Sequence, residues 1–291
     1  MTVRHYDWLA HHANFTPDRT VWTDLHSGRS FTYIEAEDRC NRLAWHLQNN
    51  CDIAKGERIG VLAMNSTDMM EIQSACAKIG AIFLPLNWRL TVPELDFIIK
   101  DADPKVLIHD LAFADEAAAL KESTDVAYFI ETTGGGGDTP YEAAISAAQT
   151  NPVLADLTHD DVWTIMYTSG TTGLPKGAMN TYGMAFYNAV NLGIPFRITP
   201  DSVALTILPL FHTGGLNCYT SICLHTGGTS LIMRAFEPGE VLRLIGDPDQ
   251  TVTHFFGVPA NYLFMSQHPE FSTTDFSRLV CAGIGGAPTP I

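Results

Sequence analysis

The 291 residues carry 32 acidic against 17 basic side chains, a formal charge of −15, which excludes the basic footprint that nonspecific nucleic-acid binding needs. Apolar residues make up 46% of the chain, enough for a sizeable core in one large domain or two. No apolar run approaches the ~18 residues of a membrane span, the opening Met1 to Asp7 lacks a secretory apolar stretch, and the six cysteines (40, 51, 76, 218, 223, 281) form no CxxC pair, so they read as reduced thiols of a cytoplasmic protein and not as zinc ligands.

Helix and strand patterns alternate along most of the chain. Thr32 and Glu35 have the spacing of a capping box before a helix over 33–48, whose face carries Ala36, Cys40, Leu43, Ala44 and Leu47. A strand over 58–63, an apolar helix near 68–80 and a strand over 81–85 follow. Thr91 and Glu94 cap a helix with Leu95, Ile98, Ile99 and Ala102 on one face, and 105–109 is a short buried strand. The glycine run over 132–139 is the best internal break by composition and reads as a surface loop. Alternation resumes with a helix near 140–149 and a strand over 162–167. Next come a helix over 182–193, strands near 203–208 and 229–233, a helix near 238–246, a strand over 252–256, a helix over 259–267 and a strand near 279–282. This pattern predicts an α/β fold of mostly parallel sheets flanked by helices.

The strand over 162–167 runs into the one stretch that names a chemistry, from Tyr167 through Thr168, Ser169, Gly170, Thr171, Thr172 and Gly173 to Pro175, Lys176 and Gly177. Glycines let backbone N–H groups approach an anion, hydroxyls add rotatable donors, and Lys176 adds a full positive charge. In a chain this acidic, a polyanion needs such a local site. Lys176 is followed by Gly177 and Ala178, so the hydroxyl that holds Mg²⁺ in a Walker A loop is missing and a P-loop NTPase is disfavoured.

This stretch resembles the phosphate-binding signature of the adenylate-forming (AMP-binding) superfamily, which includes acyl-CoA synthetases, luciferases and peptide-synthetase adenylation domains. The resemblance extends from about Phe15 to the last residue. The stretch Gly80 to Thr91, with Glu94 and Leu95, is similar to the "PLN.RLT..EL" stretch of fatty-acid CoA ligases and is read as structural. Leu208 to Leu216 resembles "PLFH..G", Phe255 to Ala260 resembles a "GVPT" turn, and Arg278 to Pro288 resembles a strand and glycine turn.

The resemblance implies the amino-terminal domain of an acyl-CoA synthetase-like fold. The expected reaction activates a carboxylic acid, fatty or short-chain, with ATP through an acyl-adenylate, and coenzyme A then takes the acyl group. Thr168 to Gly173 and Lys176 would hold the phosphates, with Lys176 in the catalytic role and Thr168 as the candidate contact for Mg²⁺. Gly285, Gly286, Ala287 and Pro288 would form the adenine slot, and Phe256, Gly257 and Val258 a wall of the acyl pocket. His212 is either an ordinary buried histidine at a strand end or a residue bordering the acyl carboxylate, and both readings stay open. Val106 to Asp110 imitates a Walker B strand but is read as packing, and Asp160–Asp161 as a solvated turn. The family's ribose-, Mg²⁺- and hinge-bearing motifs are not found in the sequence, so the expectation is an incomplete domain over 1–291 that folds but does not turn over. A non-catalytic nucleotide- or phosphate-binding module is the alternative, and a homodimer is left open.

Overall fold

A computed structural model describes residues 2–168 and 173–288. Among these residues the strands are β1 (Thr20–Asp24), β2 (Ser30–Thr32), β3 (Arg58–Leu62), β4 (Ile82–Pro85), β5 (Pro104–Asp110), β6 (Tyr128–Thr132), β7 (Val162–Thr168), β8 (Lys176–Thr181), β9 (Val203–Thr206), β10 (Thr229–Ile232), β11 (His254–Gly257) and β12 (Cys281–Ile284). They form two six-stranded sheets, ordered β12-β11-β9-β10-β1-β2 and β6-β5-β3-β4-β7-β8. Each is parallel except for one terminal strand: β2 runs antiparallel to β1, and β8 to β7. The mostly parallel α/β architecture is the one the alternation predicts, since parallel neighbours need helical crossovers. No helix among the described residues is long and apolar enough to cross a membrane.

The helix Thr67–Ile79 runs between the sheets, touching β1 of one and β4 of the other. All 13 of its residues are buried, three of them charged. Burying a charge is tolerable only with a partner. Asp68 meets Arg29 at 3.1 Å, Glu71 meets Arg39 at 2.7 Å, and Lys78 meets Asp7 and Glu37 at 2.8 and 2.7 Å. Glu142 bridges Arg29 and Arg39, and the Tyr141 hydroxyl donates to Glu71 at 2.9 Å. Burial, reinforced by the nearby charge of Glu71, pushes Asp68 up to about 7.

Both capping boxes form, at Thr32–Glu35 and Thr91–Glu94. The structure adds elements the pattern does not reveal. The helix Trp8–Phe15 starts at Asp7, whose carboxylate accepts from the Ala10 N–H at 3.1 Å. β1 and β2 are short, half-polar strands without a sustained alternation. The helix Ala114–Ser123 leads into β6, which pairs along its length with β5. β8, with an exposed first half, also goes unread.

The glycine run turns from β6 into the helix Pro140–Ala147, with Gly134 buried beside Ser66 and Arg234. Asp161 accepts from the backbone and hydroxyl of Thr158 and pairs with Lys55 at 2.8 Å. All six cysteines are unbridged, four of them buried.

Candidate functional site

In parallel sheets every strand of one layer delivers its following loop to the same end, and ligands gather there. Here β4 ends into Leu86–Trp88, β9 into Ile207 and Leu208, β10 into Arg234, β11 into Val258 and β12 into Gly285. The loops meet around a cavity of about 590 Å³. Its lining brings together His212, Phe256, Val258, Gly285 and Gly286. Trp88, Arg89 and Arg234 also line it. Gly257 stands apart, buried within β11, and accepts from the Gly285 N–H at 3.2 Å. Ala287 and Pro288 are exposed beyond the lining.

A second cavity of about 520 Å³ lies between the loop after β4 and the β7–β8 hairpin. Leu86, Asn87 and Glu94 face Tyr167, Thr168 and Gly173 across it. Phe211 and His212 line both cavities, so His212 stands at their junction. Thr168 and Lys176 are register partners at the loop end of the hairpin, both exposed. Partners of an antiparallel pair project from the same face. Lys176 is thus the first residue of β8 and not part of a free loop. Ser169, Gly170, Thr171 and Thr172 lie outside the described residues.

His212 is exposed, which sets aside its reading as an ordinary buried histidine. It caps the short helix Thr213–Gly215, and its Nδ1 accepts from the Gly214 N–H at 3.1 Å. That hydrogen bond fixes Nδ1 as an acceptor and leaves Nε2 as the hydrogen-bearing nitrogen of the neutral ring. Among the described residues Nε2 has no partner. The turn after it requires glycine, because a Cβ on Gly215 would stand 2.2 Å from the Pro209 carbonyl oxygen.

The backbone before His212 is held by Asn65, which the sequence reading passes over. Its side-chain amide donates to the carbonyls of Leu208 at 2.9 Å and Met233 at 3.1 Å, while its oxygen accepts from the Leu210 N–H at 2.8 Å. Arg234 is neutralised by Asp110 at 2.6 Å across the two sheets, so the end of β5 does more than pack. Arg89 lies over the rings of Trp88 and Phe211, 4.9 and 5.8 Å from their centroids, a cation–π arrangement at the cavity wall. The stretch read as structural therefore contributes to both cavities. A guanidinium and an N–H donor facing mainly apolar walls suit an anionic group attached to an apolar body. Burial, followed by Asp101, raises Tyr167, and burial alone pushes the Cys218 thiol up to about 11, so neither is an anion at neutral pH.

A family model described as "AMP-binding enzyme" matches residues 9–291. The chain is 36% identical over 283 residues to a feruloyl-CoA synthase of an Amycolatopsis species, covering 97% of this chain and 54% of that protein. It is 31% identical to a long-chain-fatty-acid–CoA ligase of Mycobacterium tuberculosis, covering 99% of this chain and 56% of that one. The crystal structure of ATP-bound MatB from Rhodopseudomonas palustris superposes with a TM-score of 0.85 at 27% identity, covering 97% of this chain and 55% of the other. The chain thus spans about half the length of the curated relatives it matches.

Proposed function

The chain belongs to the AMP-binding enzyme family, and from that premise we propose that the protein activates a carboxylic acid with ATP and passes the acyl group to coenzyme A. The observation that carries this reading is His212 at the junction of two cavities, one ending at Gly285 and Gly286 and the other bounded by Thr168 and Gly173. An acid, a nucleotide and a thiol have to meet in such a reaction.

In the first half, a carboxylate oxygen attacks the α-phosphorus and the bond to pyrophosphate breaks. His212 Nε2–H donates to the carboxylate and orients it. Gly285 and Gly286 leave room for a purine face. Donors of the 168–173 stretch and the ammonium of Lys176 take up charge on the departing pyrophosphate, and charge stabilisation of this kind carries phosphoryl chemistry. In the second half, the sulfur of coenzyme A attacks the acyl carbon and AMP leaves.

Among the described residues no cluster of three His, Cys, Asp or Glu forms a protein cage for a metal. Mg²⁺ binds mainly through nucleotide phosphates with few protein ligands, and Thr168 is the hydroxyl at hand. Mg²⁺ brought with ATP would neutralise phosphate charge.

The printed names of the relatives include a feruloyl and a long-chain-fatty acid ligase, so the family leaves the acid's class open. Isotope exchange between pyrophosphate and ATP, measured on a protein of its relatives' full length that carries this chain, tests the reading. Exchange should appear only when a carboxylic acid is added. ATP hydrolysis without an acid would overturn it, and ATP binding without exchange would favour a nucleotide-binding module.

A further inference from the structure

The first cavity ends on an aromatic floor. Phe256 lines it on one side, and on the other shares with Tyr219 a residual space of about 10 Å³, barely the size that admits one water. Tyr219 belongs to a π-helical turn, Leu216–Thr220, a wider coil common at functional sites. The turn is held by the Thr220 hydroxyl, which donates to the Gly215 carbonyl and lies 2.7 Å from the Thr206 hydroxyl. The Tyr219 ring packs on Phe256, Phe196 and His254 with centroids 5.5, 5.7 and 5.8 Å away.

Bare backbone of β12 closes the other side. A Cβ on Gly283 would stand 2.5 Å from the Tyr219 hydroxyl oxygen and 2.8 Å from Phe256, and one on Gly285 would stand 3.0 Å from the Phe256 ring tip. Tyr262 donates to the Gly283 carbonyl at 2.6 Å and pins that strand. Phe256 is therefore wedged between Tyr219 and β12, and its ring is free only on the side that faces the cavity. Phe211, Phe236 and Trp88 give the remaining wall an aromatic character, and such rings favour offset or edge contacts with another ring.

We infer that this cavity selects compact aromatic carboxylic acids over long unbranched acyl chains, with Phe256 and its support Tyr219 setting the limit. The inference rests on the carboxylate-activating reading above. A ring on a short arm meets the aromatic wall within the cavity, whereas a chain that runs on past Phe256 toward Tyr219 finds space for no more than one water.

Calorimetric titration of the chain with cinnamate and with decanoate, in the presence of ATP and Mg²⁺, tests this. Cinnamate should bind at least about tenfold more tightly, the scale on which apolar pockets discriminate size. Phe256→Ala should narrow or reverse that ratio by about tenfold or more. Phe256→Leu removes the ring with less loss of volume and should narrow the ratio in the same direction if the alanine variant fails to melt cooperatively. Decanoate binding as tightly as cinnamate, or a ratio unmoved by a folded Phe256 variant, overturns the inference while leaving carboxylate activation standing. Binding of neither acid overturns the carboxylate reading itself, and this inference with it.

Discussion

The helix Thr67–Ile79 and the segment Leu208–Gly215 both carry polar groups that need partners, and they satisfy them in opposite ways. In the helix, charged side chains meet charged side chains: Asp68, Glu71 and Lys78 each have a partner within about 3 Å. In the segment the backbone is satisfied, by Asn65 and by the helix cap, while His212 keeps a donor toward the cavities. The first arrangement spends its polar chemistry on holding two sheets together. The second leaves its polar chemistry available to a ligand. Stability and function are thus assigned to different residues on different elements.

That separation can be broken most forcefully at Glu71. Glu71→Ala leaves Arg39 and Tyr141 short of a buried partner and should destabilise the fold by about 3–5 kcal/mol. Denaturant titration measures it, and acid binding by the remaining folded fraction should be unaltered. Lys176→Ala should do the reverse. In a protein of its relatives' full length that carries this chain, pyrophosphate exchange should slow ~10²–10³-fold, or about 2.7–4 kcal/mol of transition-state stabilisation, with an unchanged thermal melt. Near-normal exchange would remove Lys176 from the mechanism.

Asn65→Ala should blur the division, since Asn65 is structural in its contacts and functional in what it positions. It should lower stability by about 1–3 kcal/mol and also weaken acid binding, visible as parallel losses in melting and calorimetry.

Titration gives the finest test. Burial holds His5 down at about 4, beside Trp8, Trp163 and Tyr182. The folded state then binds fewer protons than the unfolded one between about 4 and 6.5, so this contribution is lost as pH falls through that window. Asp68, raised to about 7, has the opposite sign: its contribution is present at low pH and lost as pH rises from about 4 to 7. Between pH 7 and 5.5 each effect is about 1–2 kcal/mol. His5→Phe should therefore lose less stability on acidification than wild type, and Asp68→Asn more. Equal slopes for the two variants would refute at least one of the two assignments.

Where a feature depends on neighbours in sequence, it was legible. The capping boxes of Thr32–Glu35 and Thr91–Glu94, the parallel α/β alternation and the family motifs needed only local pattern. Asn65 and the pair Arg234–Asp110 gave no such signal, because their partners lie more than a hundred residues away and a lone Asn or Arg is ordinary on a surface. Trp88 and Arg89 sat in a recognised stretch, but that they line the cavity depends on where β4 ends relative to β9 and β11. β8 escaped because its first four residues are exposed and carry no alternation.

The place of β1 between β2 and β10 also sets a schedule for folding. The sheet that holds β3 to β8 draws its strands from residues 58–181, so it can close as soon as that stretch exists. Trp22 pairs opposite Ser230, across most of the chain. At ribosomal rates of 5–20 residues per second, β1 waits roughly 10–40 s after its own synthesis for that partner. Until then it has only the three-residue β2 beside it, and a two-stranded ribbon is marginal in water. Its other edge stays open to any passing strand. The first sheet begins early in the chain and is finished late, and that interval is when a nascent molecule is most exposed to aggregation.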